Sequence, residues 1–371
     1  MNFLIEKEDL LTGLARAQSI VERRTAMPIL ANVLLEAKKG ELIVTATDLE
    51  VGIRGSHPAV VEKEGGMALP AKNLFEIVKE LPRGKVSFQK KENFWVQIAS
   101  GKAFFNIVGL SPEDYPSLPN HKDKKFYDIN PKILKEMIEK TIFSVSNDET
   151  RYHLNGIFFE KSGKDGNRMR MVATDGHRLS LIDKTFDFSN ELTFTRGVII
   201  PKKGMAEIRK LLEEEDGSYQ IGFDTNNVII RKESVVLFIR LIDGEYPDYQ
   251  QVIPSRNKKK IVVNRDKFLG ALRRISLLAN ERSKAIRLSV KPNILEISTN
   301  NPEVGEAKEE IDVSYVGQAM ETAFNARYFM DILSAMQSES VILELDDKLS
   351  PGVVRPTEDS ECFFVVMPMR I

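Results

Sequence analysis

The densest set of chemically capable groups in this sequence is Thr174-Asp175-Gly176-His177-Arg178. A carboxylate two residues from an imidazole has the spacing to orient a general base. Asp-Gly is also a strong turn signal, and Met169–Ala173 and Leu179–Ile182 on either side have the apolar content of two hairpin strands. A turn is expected here. Cys362, the one cysteine, sits in the apolar run Phe363-Phe364-Val365-Val366, which suits a buried strand better than a nucleophile. One cysteine also excludes an internal disulfide or a multi-cysteine metal site. The four histidines, His57, His121, His153 and His177, have no metal-ligand spacing. No phosphate-cradling GxxxxGK[ST] occurs, nor GxGxxG, HExxH or GxSxG. No catalytic residue, metal or cofactor is expected.

The elements that must carry these residues repeat. Three segments with apolar residues at helical spacing begin near Asp9, Asn130 and Asn264, each after a short strand-like stretch (Phe3–Ile5, Phe126–Ile129, Ile261–Val263). Asn130, before Pro131, and Asn264 have the character of N-caps. A second family lies between them: Leu69-Pro70-Ala71-Lys72, Ile200-Pro201-Lys202-Lys203 and Phe324-Asn325-Ala326-Arg327. Pro70 to Pro201 is 131 residues, and Pro201 to Asn325 is 124. These continue as amphipathic helices with apolar faces Phe75/Val78/Leu81, Met205/Ile208/Leu212 and Phe329/Ile332/Met336. Thr47-Asp48-Leu49, Thr174-Asp175-Gly176 and Thr299-Asn300-Asn301 recur 127 and 125 residues apart. Tyr115-Pro116-Ser117-Leu118-Pro119 is echoed by Tyr246-Pro247-Asp248-Tyr249, and Pro- and Lys-rich linkers follow at 119–125 and 254–260. The expected architecture is three tandem α+β domains of about 125 residues, with two helices and antiparallel sheets in each. The predicted strands include Lys85–Phe88, Phe94–Ala99, Ile157–Glu160, Val228–Arg231, Val235–Leu241 and Ile286–Val290.

Net charge is near zero, 53 basic against 54 acidic residues, which argues against a simple basic coat protein for nucleic acid. Clustered cations still make an anion-binding field. Lys72, Lys203 and Arg327 share one column of the second-family helices, in the first turn, where the helix dipole disfavours a cation. A recurring cation there points to an external anion, and free N–H groups at that end favour phosphate. Arg23, Arg24, Arg273, Arg274 and Arg282 lie near the first-family helices. Duplex DNA is the natural partner of such a surface, through its phosphates and without sequence reading. The terminal Met367-Pro368-Met369-Arg370-Ile371 is methionine-rich beyond a strand-like run. Pro368 should end the ladder there and leave Met367, Met369 and Ile371 to line an adaptable binding surface. No apolar run is long enough for a membrane helix, and Met1–Glu6 lacks the pattern of a signal peptide. A cytoplasmic protein is expected.

Arg151-Tyr152-His153-Leu154-Asn155-Gly156, Ala173–Leu179, Asp243-Gly244-Glu245-Tyr246-Pro247-Asp248-Tyr249, Thr299–Glu303 and Val366–Arg370 together resemble the bacterial beta sliding clamp, in order and over the whole chain. The resemblance implies a non-catalytic processivity subunit of a DNA-directed DNA polymerase. It implies three clamp domains, 1–121, 122–254 and 255–371, each a pair of βαβββ units with helices inside and sheets outside. It further implies a head-to-tail homodimer closing a ring around duplex DNA, opened by a clamp loader. The implied partners are the replicative polymerase, the clamp loader, and other polymerases and repair proteins, all engaging through short linear peptides.

Residue by residue, the resemblance implies a peptide groove of Arg151, Leu154, Thr174, Gly176, His177, Arg178, Leu179, Pro247, Val252, Leu349, Val365, Met367, Pro368 and Met369. Gln251 departs from the family pattern at a rim position where some members carry arginine. DNA contacts are implied at Arg24, Lys72, Tyr152, His153, Lys203 and Arg282. For the ring interface, Phe105 and Ile107 would meet Leu277 and Leu278 of a second copy, and Lys102 would face acids among Glu303, Glu306, Glu309 and Glu310. Phe104 stands where an arginine can occur. Two other classes compete: a DNA-processing enzyme using Asp175 and His177, and a scaffold that binds proteins but never DNA.

Overall fold

The computed structural model describes residues 1–21, 27–121, 123–163, 168–188, 192, 196–213, 217–254 and 257–370. Six α-helices occur among them: α1 Lys7–Ile20, α2 Ala71–Glu80, α3 Pro131–Glu139, α4 Lys202–Leu211, α5 Arg265–Ile275 and α6 Ala326–Ser334. They are the two sequence families, one of each per repeat. Asn264 caps α5 by accepting from Lys267 N at 3.0 Å, and Asn325 caps α6 by accepting from Arg327 N at 2.9 Å. In α2 the buried face runs through Leu74 and Val78 and on to Leu81 just past its end, and Phe75 is only half-buried. Helical spacing from Val78 and Leu81 returns to position 74 as well as 75, and the sheet took the former.

The chain folds into two compact units, Met1–Pro131 with Lys203–Leu241, and Lys132–Lys202 with Ile242–Ile371. The middle repeat is thus divided between them. In the first unit an eight-stranded antiparallel sheet runs Phe126–Ile129, Tyr219–Phe223, Asn227–Lys232, Val235–Arg240, Val51–Pro58, Glu41–Thr47, Asn32–Lys38, Gly65–Pro70. Its seam pairs Val235 with Gly55 and Ile239 with Val51. In the second unit Arg178–Thr185 pairs with Cys362–Val366, Leu181 opposite Phe363, within a twelve-stranded sheet. Main-chain hydrogen bonding therefore runs unbroken across both repeat boundaries. A separate five-stranded sheet in the first unit ends on Ala103–Val108.

Helices cover the sheets. In the first unit α1 packs on α2 and on the strands Glu41–Thr47 and Val51–Pro58. In the second, α5 packs on α6 and on Ile294–Asn301 and Gly305–Ser314. Gly13 of α1 is there for contact, since a Cβ would lie 2.5 Å from His57 Nε2. The described residues of the first linker are irregular, as expected, and Leu118 before it packs on Ile229, Val236 and Phe238. The second is shorter than the sequence suggested. Its Lys259 and Lys260 already belong to the strand Lys259–Asn264, because they continue the register Lys259↔Leu345 and Lys260↔Glu344.

Candidate functional site

Thr174–Arg178 forms the turn of a hairpin in which Thr174 lies opposite Leu179. Gly176 has φ +89°, which favours glycine. Asp175 Oδ1 accepts from the N–H groups of His177 (2.9 Å) and Arg178 (3.0 Å), and its Oδ2 accepts from Arg178 Nε at 3.1 Å. The carboxylate is thus committed to the turn and to Arg178. The His177 ring stacks on Tyr328, centroids 6.4 Å apart. This is the geometry of a structural turn. Cys362 is fully buried, and burial pushes its thiol up to about 12, which removes it as a nucleophile.

Arg178 is the buried centre of the region. Its guanidinium also donates to Asp331 (2.6 Å) and to the Phe143 carbonyl (2.5 Å), and lies over the rings of Tyr328 and Phe143. A pocket of about 200 Å³ opens above it, lined by Leu154, Thr174, Gly176, Arg178, Leu179, Pro247, Asp248, Tyr249, Val252, Val365 and Met367. Nine of these eleven were expected from the sequence; Asp248 and Tyr249 were not. Their signal was present in the Tyr-Pro echo, because the turn Tyr249–Val252 brings that segment back over the sheet. Tyr249 packs in a buried apolar cluster with Val172, Leu179, Leu181, Val353 and Val365, of which Leu179 and Val365 also line the pocket. Its hydroxyl accepts from Arg170 Nη1 at 3.0 Å and donates to Glu160. Burial, with the Glu160 bond, pushes this phenol up to about 12. Arg170 is in turn held by Asp183 at 2.7 and 2.8 Å.

The remaining expected groove residues are not part of this pocket's lining. Arg151 leans over Gly176, where a Cβ would meet its Nη1 at 2.9 Å, and its Nε donates to Asp148 at 2.9 Å. Gln251 donates to Asp248 at 3.0 Å, so it braces the rim. Leu349 and Met369 line a second hollow of about 310 Å³, with Arg287, Lys348 and Arg370 among its walls. Pro368 sits between Met367 and Met369, and the backbone on either side is pinned: Met367 N donates to His177 O (2.9 Å) and Met369 N to Ala323 O (2.7 Å). The expected groove residues that line hollows are thus divided between two of them. Ile371 lies outside the described residues.

Of the expected DNA contacts, Arg24, with Arg23, lies outside the described residues. Lys72 and Arg282 are exposed, as is Arg327. Tyr152 is exposed, with its ring edge-on to His153 at 5.7 Å. Lys203 differs, since its ammonium is ion-paired with Asp48.

The expected interface residues mark two strand edges. Phe105 and Ile107 lie opposite the fully buried Ile98 and Val96. They carry the core face of the five-stranded sheet out to its rim, where Phe105 is 39% exposed. Lys102 precedes this strand and is exposed. In the second unit, Gly305–Ser314 pairs fully with Ile294–Asn301 but meets Lys259–Asn264 only at Val313 and Ser314. The outer edge of residues 305–312 thus carries no strand among the described residues. Leu278 Cδ1 reaches within 4.0 Å of a Cβ built on Gly305, and Leu277 is 80% exposed. Glu303 and Glu306 are exposed, whereas Glu309 is held bidentately by Arg274 at 2.6 and 2.9 Å.

Family models for the DNA polymerase III beta subunit match the chain three times: the N-terminal domain over residues 1–119, the central domain over 128–248 and the C-terminal domain over 250–370. The beta sliding clamp of Haemophilus influenzae is 36% identical over 372 residues, covering all of both chains. That of Escherichia coli K12 is 33% identical with the same coverage. Among solved structures, the sliding clamp of Bartonella birtlesii bound to griselimycin superposes with a TM-score of 0.94 at 35% identity, over all of both chains. The Bacillus subtilis clamp gives 0.94 at 31% identity, over all of this chain and 99% of that one.

Proposed function

From the membership of this chain in the bacterial beta sliding clamp family, the beta subunit of DNA polymerase III, we propose that two copies close head to tail into a ring around duplex DNA. The family is a non-catalytic processivity factor with a three-domain clamp fold. The domains are proposed at 1–121, 122–254 and 255–371. The proposed compartment is the bacterial cytoplasm, where the chromosome is copied.

The observation that carries the ring is the pair of incomplete strand edges, Ala103–Val108 and residues 305–312, each flanked by exposed apolar side chains. An edge of this kind is an aggregation hazard unless another strand covers it. Two unlike edges on one chain make a heterologous contact, and a heterologous contact that closes makes a ring. Phe105 and Ile107 would then pack on Leu277 and Leu278 of the second copy, and Lys102 would face Glu303 and Glu306. Glu309 is already neutralised within its own chain.

The apolar pocket is proposed as the anchor site for short linear peptides of the replicative polymerase, the clamp loader, and other polymerases and repair proteins. Its size and apolar walls suit one bulky aliphatic or aromatic side chain, with Arg151, Asp248 and Gln251 supplying a polar rim. Enclosure keeps a tethered polymerase at high effective concentration. Lys72, Tyr152, His153, Lys203, Arg282 and Arg24 are proposed to touch phosphate without reading sequence.

The test is topological. The protein is loaded on nicked circular DNA with a clamp loader and ATP, then the circle is cut. Retention through high salt on the circle and release on cutting is the expected result. Loss in salt before cutting, or indifference to cutting, overturns the ring.

A further inference from the structure

The first two repeats place a carboxylate at the same step of their hairpin turns, Asp48 and Asp175. Each spends one oxygen on its own turn. Asp48 Oδ1 accepts from Glu50 N at 2.9 Å and Val51 N at 2.6 Å, as Asp175 Oδ1 does from His177 and Arg178. Their second oxygens part company. Three residues beyond Asp175 stands Arg178, which takes Asp175 Oδ2. Three residues beyond Asp48 stands Val51, so this turn holds no cation at that step. Asp48 Oδ2 instead meets Lys203 in the first turn of α4.

The pair is asymmetric. The Asp48 side chain is 2% exposed and that of Lys203 is 33% exposed. Lys203 is the one cation paired with Asp48 among the described residues, and removing a buried carboxylate's cation is costly, so phosphate must compete with Asp48 for this ammonium. In the same column Lys72 and Arg327 stand exposed, with no carboxylate partner among the described residues. A ring that slides needs phosphate contacts weak enough to be exchanged at each step, and every fully committed cation adds to the grip.

Resting on the reading that this surface meets DNA, we propose that Asp48 is a built-in attenuator of that grip, holding Lys203 back from phosphate. It sets how tightly the ring holds the duplex, and it takes no part in holding the partner peptide.

Asp48→Asn is the informative change, because its Oδ1 still serves the two turn amides while the charge facing Lys203 is gone. The measurement is dimer binding to linear duplex across a salt series, with one-dimensional diffusion of loaded rings as a second readout. The slope of log K against log salt is expected to steepen by about 0.9 for each Lys203 that gains a phosphate, with slower diffusion. Lys203→Ala in the Asp48→Asn background is expected to restore the original slope. Lys203→Ala alone is expected to lower the slope less than Lys72→Ala does. A purely structural pair shifts the unfolding midpoint and leaves the slope alone. An unchanged slope in Asp48→Asn, with Lys72→Ala still lowering it, overturns the attenuator and leaves the DNA surface standing. Equal losses from Lys203→Ala and Lys72→Ala do the same. If none of Asp48→Asn, Lys72→Ala and Arg282→Ala moves the slope, the DNA surface falls and the attenuator with it.

Discussion

Arg178 Nη1 donates to Asp331 at 2.6 Å, and through this contact the turn beneath the apolar pocket is bound to α6. The same guanidinium serves Asp175 and the Phe143 carbonyl and is stacked 4.7 Å from the Tyr328 ring. Three directed donors in one plane suit a guanidinium and not an ammonium. Arg178→Met leaves two carboxylates without their cation and is expected to cost about 3 kcal/mol. Arg178→Lys should recover less than half of that. Hydrogen exchange of the amides in Arg178–Thr185 and α6 reads the loss; full protection in the lysine variant would refute the planar-fork account.

The hydroxyl of Tyr249 is the second fixed point of the pocket. Tyr249→Phe keeps the ring in its apolar cluster but leaves Glu160 and Arg170 without their shared partner. The expected cost is about 1–2 kcal/mol, seen as a roughly tenfold weaker affinity for a clamp-binding peptide by fluorescence anisotropy. Wild-type affinity in this variant would mean that the wall holds its place without the network.

His57 gives the first unit a pH dependence. It is buried beside Gly13 of α1, and burial first, then the charge of Arg16, holds its pKa below the usual 6.5, with Asp9 opposing. The unfolded chain therefore takes up a proton that the folded chain resists. Stability from this group is complete above about pH 6.5 and is lost as pH falls through and below that value. Unfolding free energy measured between about pH 7 and 5 should fall more steeply for the wild type than for His57→Leu. Parallel curves would remove His57 as the source.

The six helices and the hairpin at Thr174–Arg178 were legible in the sequence, because periodicity and turn chemistry are local signals; the nine pocket residues were named as a set only through the resemblance to the family. The second linker expected at 254–260 lost Lys259 and Lys260 to a strand. What was hidden depends on partners far away in sequence. Lys203 reads as a free cation until Asp48, 155 residues distant, is found against it. Glu309 reads as an interface acid until Arg274 claims it. Tyr249 reads as a turn residue until Glu160 and Arg170 explain its burial. Phe75 and Leu74 compete for one helical face, and only the sheet beneath decides between them.

The ring contact should be mainly apolar. Phe104 stands where a cation would strengthen charge pairing, and Glu309 is neutralised in its own chain. Dimer dissociation followed from about 0.05 to 0.5 M salt should therefore change only a few-fold, since screening acts on exposed charges. Phe105→Ala should weaken the dimer by about 2 kcal/mol, near the value of a buried phenylalanine side chain. A steep salt dependence with a silent Phe105→Ala would reverse the assignment.

Gly52 and Leu179 stand at the same step after Thr47 and Thr174, and Leu118 stands where Tyr249 does after the Tyr-Pro pair. In the second unit Leu179 and Tyr249 both line an open pocket. In the first, a Cβ on Gly52 would lie 2.4 Å from Leu118 Cδ2. The leucine has dropped into the space that the absent side chain leaves, so the equivalent hollow is filled by the chain itself. The two positions must therefore couple. Leu118→Ala alone opens a cavity and is expected to cost about 2 kcal/mol, and Gly52→Ala alone forces Leu118 out at a similar cost of about 1–3 kcal/mol. Together the new methyl occupies what the leucine vacates, and the double variant should be more stable than the sum of the two losses by about 1 kcal/mol. Urea unfolding of the four proteins closes the cycle, and strict additivity would show that Leu118 merely lies near Gly52 without filling its place.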